Sequence, residues 1–278
     1  MRKIYLITVV LLLAQMAVSQ DKIWTTGTAI TLSPKNYSFG IFQPLRYGLK
    51  NNLEVFTYPL AFPAIPNVGV KKMWYKTKND WYFGSRHAIH YPSLFLKLSS
   101  GEGIGRIMPP DAKVPQIISL TNELFVSTWL IKETSCTPPN LLLTLKAGAK
   151  NGLKFGESNF PTIDYPGIYY QTIPYQKKHF LWYLGADLDG NLTESVNFCI
   201  DLDWIAVNWN VEDFAIEHKG MLLIPFAKRT TFIVGYKISY GTYPFGNKFM
   251  IMPLVDLQWN IQPKRKIEKG LFDPQMSK

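Results

Sequence analysis

Two stretches of the chain carry residue types from which a site could be built. The first is Ser85-Arg86-His87-Ala88-Ile89-His90-Tyr91. Paired histidines suggest a metal site, because neutral imidazole is a good ligand for transition metals. In a strand, however, successive side chains point to opposite faces, so positions three apart cannot grip one ion. No third ligand lies nearby, and the spacing predicts one histidine toward an interior and one near an interface.

The second stretch is acidic. Asp187-Leu188-Asp189-Gly190-Asn191 begins like a calcium loop but lacks the flanking helices and the closing glutamate. Asp201 and Asp203 follow on alternate positions of another apolar run. A buried charge without a partner is too costly to keep, so mixed charges on facing strands imply an ion-pair network. The residues expected to form it are Glu123, Lys146, Lys150, Asp187, Asp201, Asp203, Lys219, Lys237 and Asp256. Gly101-Glu102-Gly103-Ile104-Gly105 has no Lys-Ser/Thr after it, so it reads as a loop and not a phosphate cradle. No catalytic, cofactor-binding or metal-binding residue is expected, and the chain reads as non-enzymatic.

Such charges need strands to hold them, and the sequence supplies strands. From Thr231 to Gly241, Phe232, Val234, Tyr236, Ile238 and Tyr240 alternate with Thr231, Gly235, Lys237, Ser239 and Gly241, Ile233 alone breaking the polar face. That period of two makes one apolar and one polar face. Similar alternation runs through Ile117–Ile131, Leu141–Lys150, Phe180–Leu188, Ile200–Ala206 and Ile251–Ile261, with Phe125 and Trp129 breaking the polar face of the first. Turn-forming residues separate these runs: Pro44–Asn52, Lys76–Asp80, Pro225–Arg229 and Tyr243–Asn247. Longer connections fall near Tyr91–Val114 and Gly156–Gly167.

Composition and termini bound the class. Hydrophobic residues make up 47% and charged residues 18%, which excludes an intrinsically disordered chain. No stretch after the first residues is apolar for long enough to be a membrane-spanning helix. Arg2 and Lys3 precede an apolar run, and Ala17-Val18-Ser19 offers small residues for cleavage, so residues 1–19 read as a secretory signal peptide. No cysteine sits at the cleavage point, which argues against a lipid-anchored form. The net charge of +10 includes Lys264, Arg265, Lys266, Lys269 and Lys278 in a basic tail over 262–278. Export and the absence of a groove-reading motif argue against a nucleic-acid partner. Whether Cys136 and Cys199 pair is left open, since nothing in the sequence fixes their distance.

Amphipathic strands can bury their apolar face in a soluble core or turn it toward lipid. Three features favour lipid. The polar faces combine Gly, Ser and Thr with both charge signs. Several strands reach the length needed to cross a bilayer. Aromatics sit near strand ends, with Trp74, Trp81, Trp129, Trp204, Trp209 and Trp259 placed as an interfacial girdle.

The run Arg46-Tyr47-Gly48-Leu49-Lys50-Asn51-Asn52-Leu53-Glu54-Val55 resembles the hairpins of bacterial outer-membrane β-barrel proteins, and the alternating last strand with Trp259 resembles their C-terminal assembly signal. The resemblance implies an all-β, antiparallel, up-and-down transmembrane barrel of about twelve strands (10–14), spanning 20–261. It implies residence in the outer membrane, contact with outer-membrane lipid, insertion by the barrel assembly machinery and other envelope proteins as possible neighbours. Pro253 departs from it, because a closed barrel has no free edge to accept a proline. The function expected is a narrow or plugged channel, or a structural subunit of an envelope complex. The alternatives are a secreted β-sandwich or lipocalin-like binder and, third, a lipid-modifying outer-membrane enzyme, for which His87 and His90 in the run Ser85–Tyr91 resemble a Ser/His pair.

Overall fold

A computed structural model describes residues 26–100, 102, 110–131, 140–159, 180–193, 196–207, 214–227, 229–243 and 246–262. The expected signal peptide, nearly all of the basic tail, Trp209, Cys136 and most of the 101–105 glycine loop lie outside them.

Twelve strands form one antiparallel sheet that closes on itself, each paired with its neighbours in sequence and β1 with β12. They are β1 (Tyr37–Gly40), β2 (Leu45–Lys50), β3 (Leu53–Thr57), β4 (Asn67–Lys76), β5 (Trp81–His90), β6 (Gln116–Ile131), β7 (Leu141–Phe155), β8 (Phe180–Asn191), β9 (Asn197–Val207), β10 (Phe214–Ala227), β11 (Thr230–Tyr243) and β12 (Gly246–Ile261). One short helix, α1 (Ser93–Ser99), lies in the connection after β5 and buries Leu96 against Ile117. Both long connections expected from the sequence, after β5 and after β7, leave the same end of the barrel. The tight Asn51-Asn52 turn lies at the opposite end, beside the start of β1.

The alternation read from the sequence is turned outward. Val68 is 56% exposed, Leu124 63%, Leu145 53%, Ile251 59% and Val255 55%, all on the outer wall. The opposite faces carry Arg46, Glu54, Lys71, Glu123, Lys146, Asp187 and Asp201, all buried. A soluble sandwich or binder would show the reverse. Ile233, which broke the polar face of β11, is buried on the inner side, as is Phe125.

Two sequence readings need correction. Pro44–Asn52 is not one turn, because Leu45–Lys50 is strand β2 and only Asn51-Asn52 turns the chain. Turn-like residues appear there for a tertiary reason. A Cβ on Gly48 would lie 2.1 Å from the Ser33 carbonyl oxygen, so close approach of another segment requires glycine. The expectation about Pro253 also fails. β1 reaches only Gln258–Ile261 of β12, so among the described residues the rest of β12 is paired on one side only, to β11. Pro253 sits on that free edge, where no ladder partner is lost.

Candidate functional site: a filled and charged lumen

The segment before β1 turns back into the barrel. Thr28 and Ala29 are fully buried and Leu32 is 4% exposed. Lys35, at φ 65°, bends the chain between this segment and β1, and its N–H donates to the Gly48 carbonyl.

Side chains from four strands hold the segment by its backbone. From β3, Glu54 accepts the Leu32 N–H at 2.8 Å. From β6, Ser127 Oγ accepts the Ala29 N–H at 2.8 Å and meets Thr144 Oγ1 of β7 at 2.7 Å. From β4, Lys71 Nζ donates to the Ile30 carbonyl at 2.7 Å and the Thr26 carbonyl at 3.4 Å. From β5, Arg86 Nη1 donates to the same Thr26 carbonyl at 3.2 Å. Free backbone groups buried without partners would each cost free energy, so these contacts answer a need of the segment as much as of the wall.

The holding groups are themselves paired. Arg46 Nη2 meets Glu54 Oε2 at 2.8 Å and its Nε meets Oε1 at 3.0 Å, a forked geometry in which both partners are nearly inaccessible. Arg86 grips Glu123 in the same two-pronged way. Its guanidinium stands 5.3 Å from the Phe125 ring and 6.0 Å from that of Phe56, while Lys71 Nζ lies 5.9 Å from Phe125. The aromatic that broke the polar pattern of β6 is thus a partner of cations.

A second cluster fills the other side. Lys146 of β7 reaches Asp187 of β8 at 2.9 Å, and Asp201 and Asp203 of β9 at 2.8 Å each. Lys219 of β10 reaches Asp201 at 2.8 Å. Lys237 of β11 pairs with Glu217 of β10 at 2.7 Å. Strand register explains this: Asp187 faces Asp201 directly across β8 and β9, and Lys219 faces Asp201 across β9 and β10. Tyr183 hydrogen-bonds to Glu123 and lies over Gly148, bridging the two clusters.

Of the residues expected in one network, the structure brings together Lys146, Asp187, Asp201, Asp203 and Lys219. Glu123 joins Arg86 instead, and Lys237 takes Glu217. Lys150 lies opposite Thr121 and Leu181 on its neighbouring strands. Asp256 does different work: its carboxylate accepts the N–H groups of Ile41, Phe42 and Gln43, capping the turn after β1 where β12 loses its neighbour. Sequence reasoning missed Arg46, Glu54, Lys71, Arg86 and Glu217. It missed them because their partners lie in other strands, or in a segment with no period of its own.

Of the tryptophans, Trp74, Trp81, Trp129 and Trp259 lie toward the short-turn end, Trp259 stacked on Phe39 with ring centroids 5.2 Å apart. Trp204 lies toward the opposite end, edge-on to Trp182 at 4.8 Å. Cys199 is buried and not in a disulfide.

A closed antiparallel barrel with an apolar outer wall and a charged lumen defines the class: this is the architecture of bacterial outer-membrane β-barrel proteins. No family model matches the chain, and no curated protein is similar to it. Among solved structures, the chain is similar to "KdgM porin in complex with disordered oligogalacturonate", at 8% identity and a TM-score of 0.42, covering 82% of this chain and 97% of that one.

Proposed function

We propose that the protein resides in the outer membrane as a barrel plugged by its own N-terminal segment, so that it does not conduct at rest. The observation that carries this reading is the set of four wall side chains, Glu54, Lys71, Arg86 and Ser127, bonded to the backbone of residues 26–32. A small barrel has a lumen that side chains nearly fill, and here a length of chain is added to them. The ion pairs of Lys146 and Lys219 then brace the other half of the lumen, where no bond to the described residues of the segment is made.

Passage through such a barrel requires the segment to leave. The test is conductance in planar bilayers. Full-length protein is expected to be silent, and a chain lacking residues 26–33 to open in discrete steps. Steady conductance of the full-length barrel would overturn the proposal. So would a silent deletion variant that still shows the gel shift of a folded barrel on boiling.

A further inference from the structure

The outer wall carries a polar group that the lumen reading leaves unused. Ser85 and His87 stand two residues apart on the outward face of β5, and Asn122 of β6 is the register partner of His87. His87 Nε2 lies 3.0 Å from Ser85 Oγ, and His87 Nδ1 lies 2.8 Å from Asn122 Oδ1. Asn122 offers an acceptor oxygen, so it holds the Nδ1–H tautomer and leaves the Nε2 lone pair facing the serine hydroxyl. This is the nucleophile, base and orienting group of acyl-transfer chemistry, recognised by geometry and not by order in the chain. The sequence could not show it, because Asn122 comes to His87 only through the register of β5 on β6.

The surroundings point to the substrate. Val70, Phe83, Ile89 and Leu124, on the same face, are all exposed apolar side chains. A polar trio costs free energy on a lipid-facing wall, where an apolar residue would serve packing better. His87 stands three residues from the long-loop end of β5, about 10 Å along the strand. Trp74 covers the serine: its indole N–H donates to Ser85 Oγ at 2.7 Å, which leaves Ser85 1% exposed while Trp74 itself is 58% exposed. The register slips between Met73 and Tyr75, so Trp74 sits on a bulge. Lys72, the register partner of Ser85, places Nζ 3.9 Å from the Trp74 ring.

We infer that Ser85, His87 and Asn122 form a catalytic triad that cleaves an acyl ester of a membrane lipid, with Trp74 as its cover. Ser85 Oγ attacks the ester carbonyl carbon as its proton passes to His87 Nε2. The negative charge on the carbonyl oxygen faces the Lys72 ammonium once the indole swings aside. Collapse breaks the bond to the alcohol oxygen, which leaves with the proton from His87, and the acyl group stays on Ser85. Water, giving a proton to His87, then attacks the acyl-serine carbonyl; the bond to Ser85 Oγ breaks, Ser85 takes that proton back from His87, and a fatty acid is released.

The test uses the folded full-length protein in mixed micelles with a fluorophosphonate probe, then in vesicles of phospholipid alone or with lipopolysaccharide. Labelling is expected on Ser85 by peptide mass, with fatty acid released from one vesicle type, which identifies the lipid. Ser85→Ala should lose both signals. His87→Phe should lower them by about 10²–10⁴-fold. Asn122→Leu should also lower them and Asn122→Asp should restore them, a rescue that a packing role would not produce. Trp74→Phe should speed labelling by uncovering the serine. If Ser85 stays unlabelled in both the wild type and Trp74→Phe while each migrates as a folded barrel, the triad is only a self-satisfied polar cluster. Fatty-acid release that survives Ser85→Ala would equally overturn it.

Discussion

Arg46, Lys71 and Arg86 set three cations against Glu54 and Glu123 on the β2–β6 side of the lumen, whereas Lys146 and Lys219 face Asp187, Asp201 and Asp203 on the β7–β10 side. The first group has a cation in surplus, and backbone carbonyls of Thr26 and Ile30 receive it. The second is held by side chains alone. The half-lumen with a cation in surplus takes up the carbonyls of a visiting segment, while in the other half two lysines gather three aspartates through side chains. The difference separates what plugs the barrel from what braces it.

Removing one partner of a buried pair leaves an uncompensated charge, so the largest effects are expected there. Glu54→Ala strips Arg46 and Lys71 of their carboxylate and frees the Leu32 N–H. It should cost about 3–5 kcal/mol in urea unfolding from detergent and should also raise conductance. Lys146→Ala leaves Lys219 to offset three aspartates and should cost a similar amount, about 3–5 kcal/mol, with no rise in conductance in the barrels that remain folded. Equal conductance in the two variants would erase the distinction between plug and brace.

Lys71→Met keeps the length of the side chain and removes its bonds to the segment together with its charge. A loss of about 1.5–3 kcal/mol is expected, as for hydrogen bonds to a charged group, with intermittent opening. The smallest effect is expected for Ser127→Ala, which withdraws one acceptor from Ala29 and should cost about 1 kcal/mol by the same unfolding measurement. Val255→Arg tests the other side of the wall. A cation on the lipid-facing surface near the midplane should cost about 2–4 kcal/mol, without touching either cluster.

How far the sequence reaches is visible in particular residues. The two faces of β11 could be read from Phe232 to Gly241 because alternation is local. The carboxylates of β8 and β9 could be placed inside for the same reason. Lys71 could not, because its partners are carbonyls some forty residues earlier in the chain. Strand β2 was hidden because Gly48 answers to the segment packed against it, and Pro253 looked misplaced because the shortness of β1 cannot be read from β12. Ser85 and His87 were visible as types, but the third member of the trio depended on register. Local period gives faces, and pairing between distant strands decides which faces meet.

The most direct test of the plugged lumen asks whether the segment is inside it. With Cys136 and Cys199 replaced by serine, Thr28→Cys places a thiol where the folded protein is fully buried, and Phe42→Cys places one at a residue 64% exposed. A membrane-impermeant maleimide should modify the Phe42 variant within the mixing time and leave the Thr28 variant unmodified until the barrel is unfolded. Equal rates in the folded protein would mean that residues 26–36 do not occupy the lumen, and the plug would have to be abandoned.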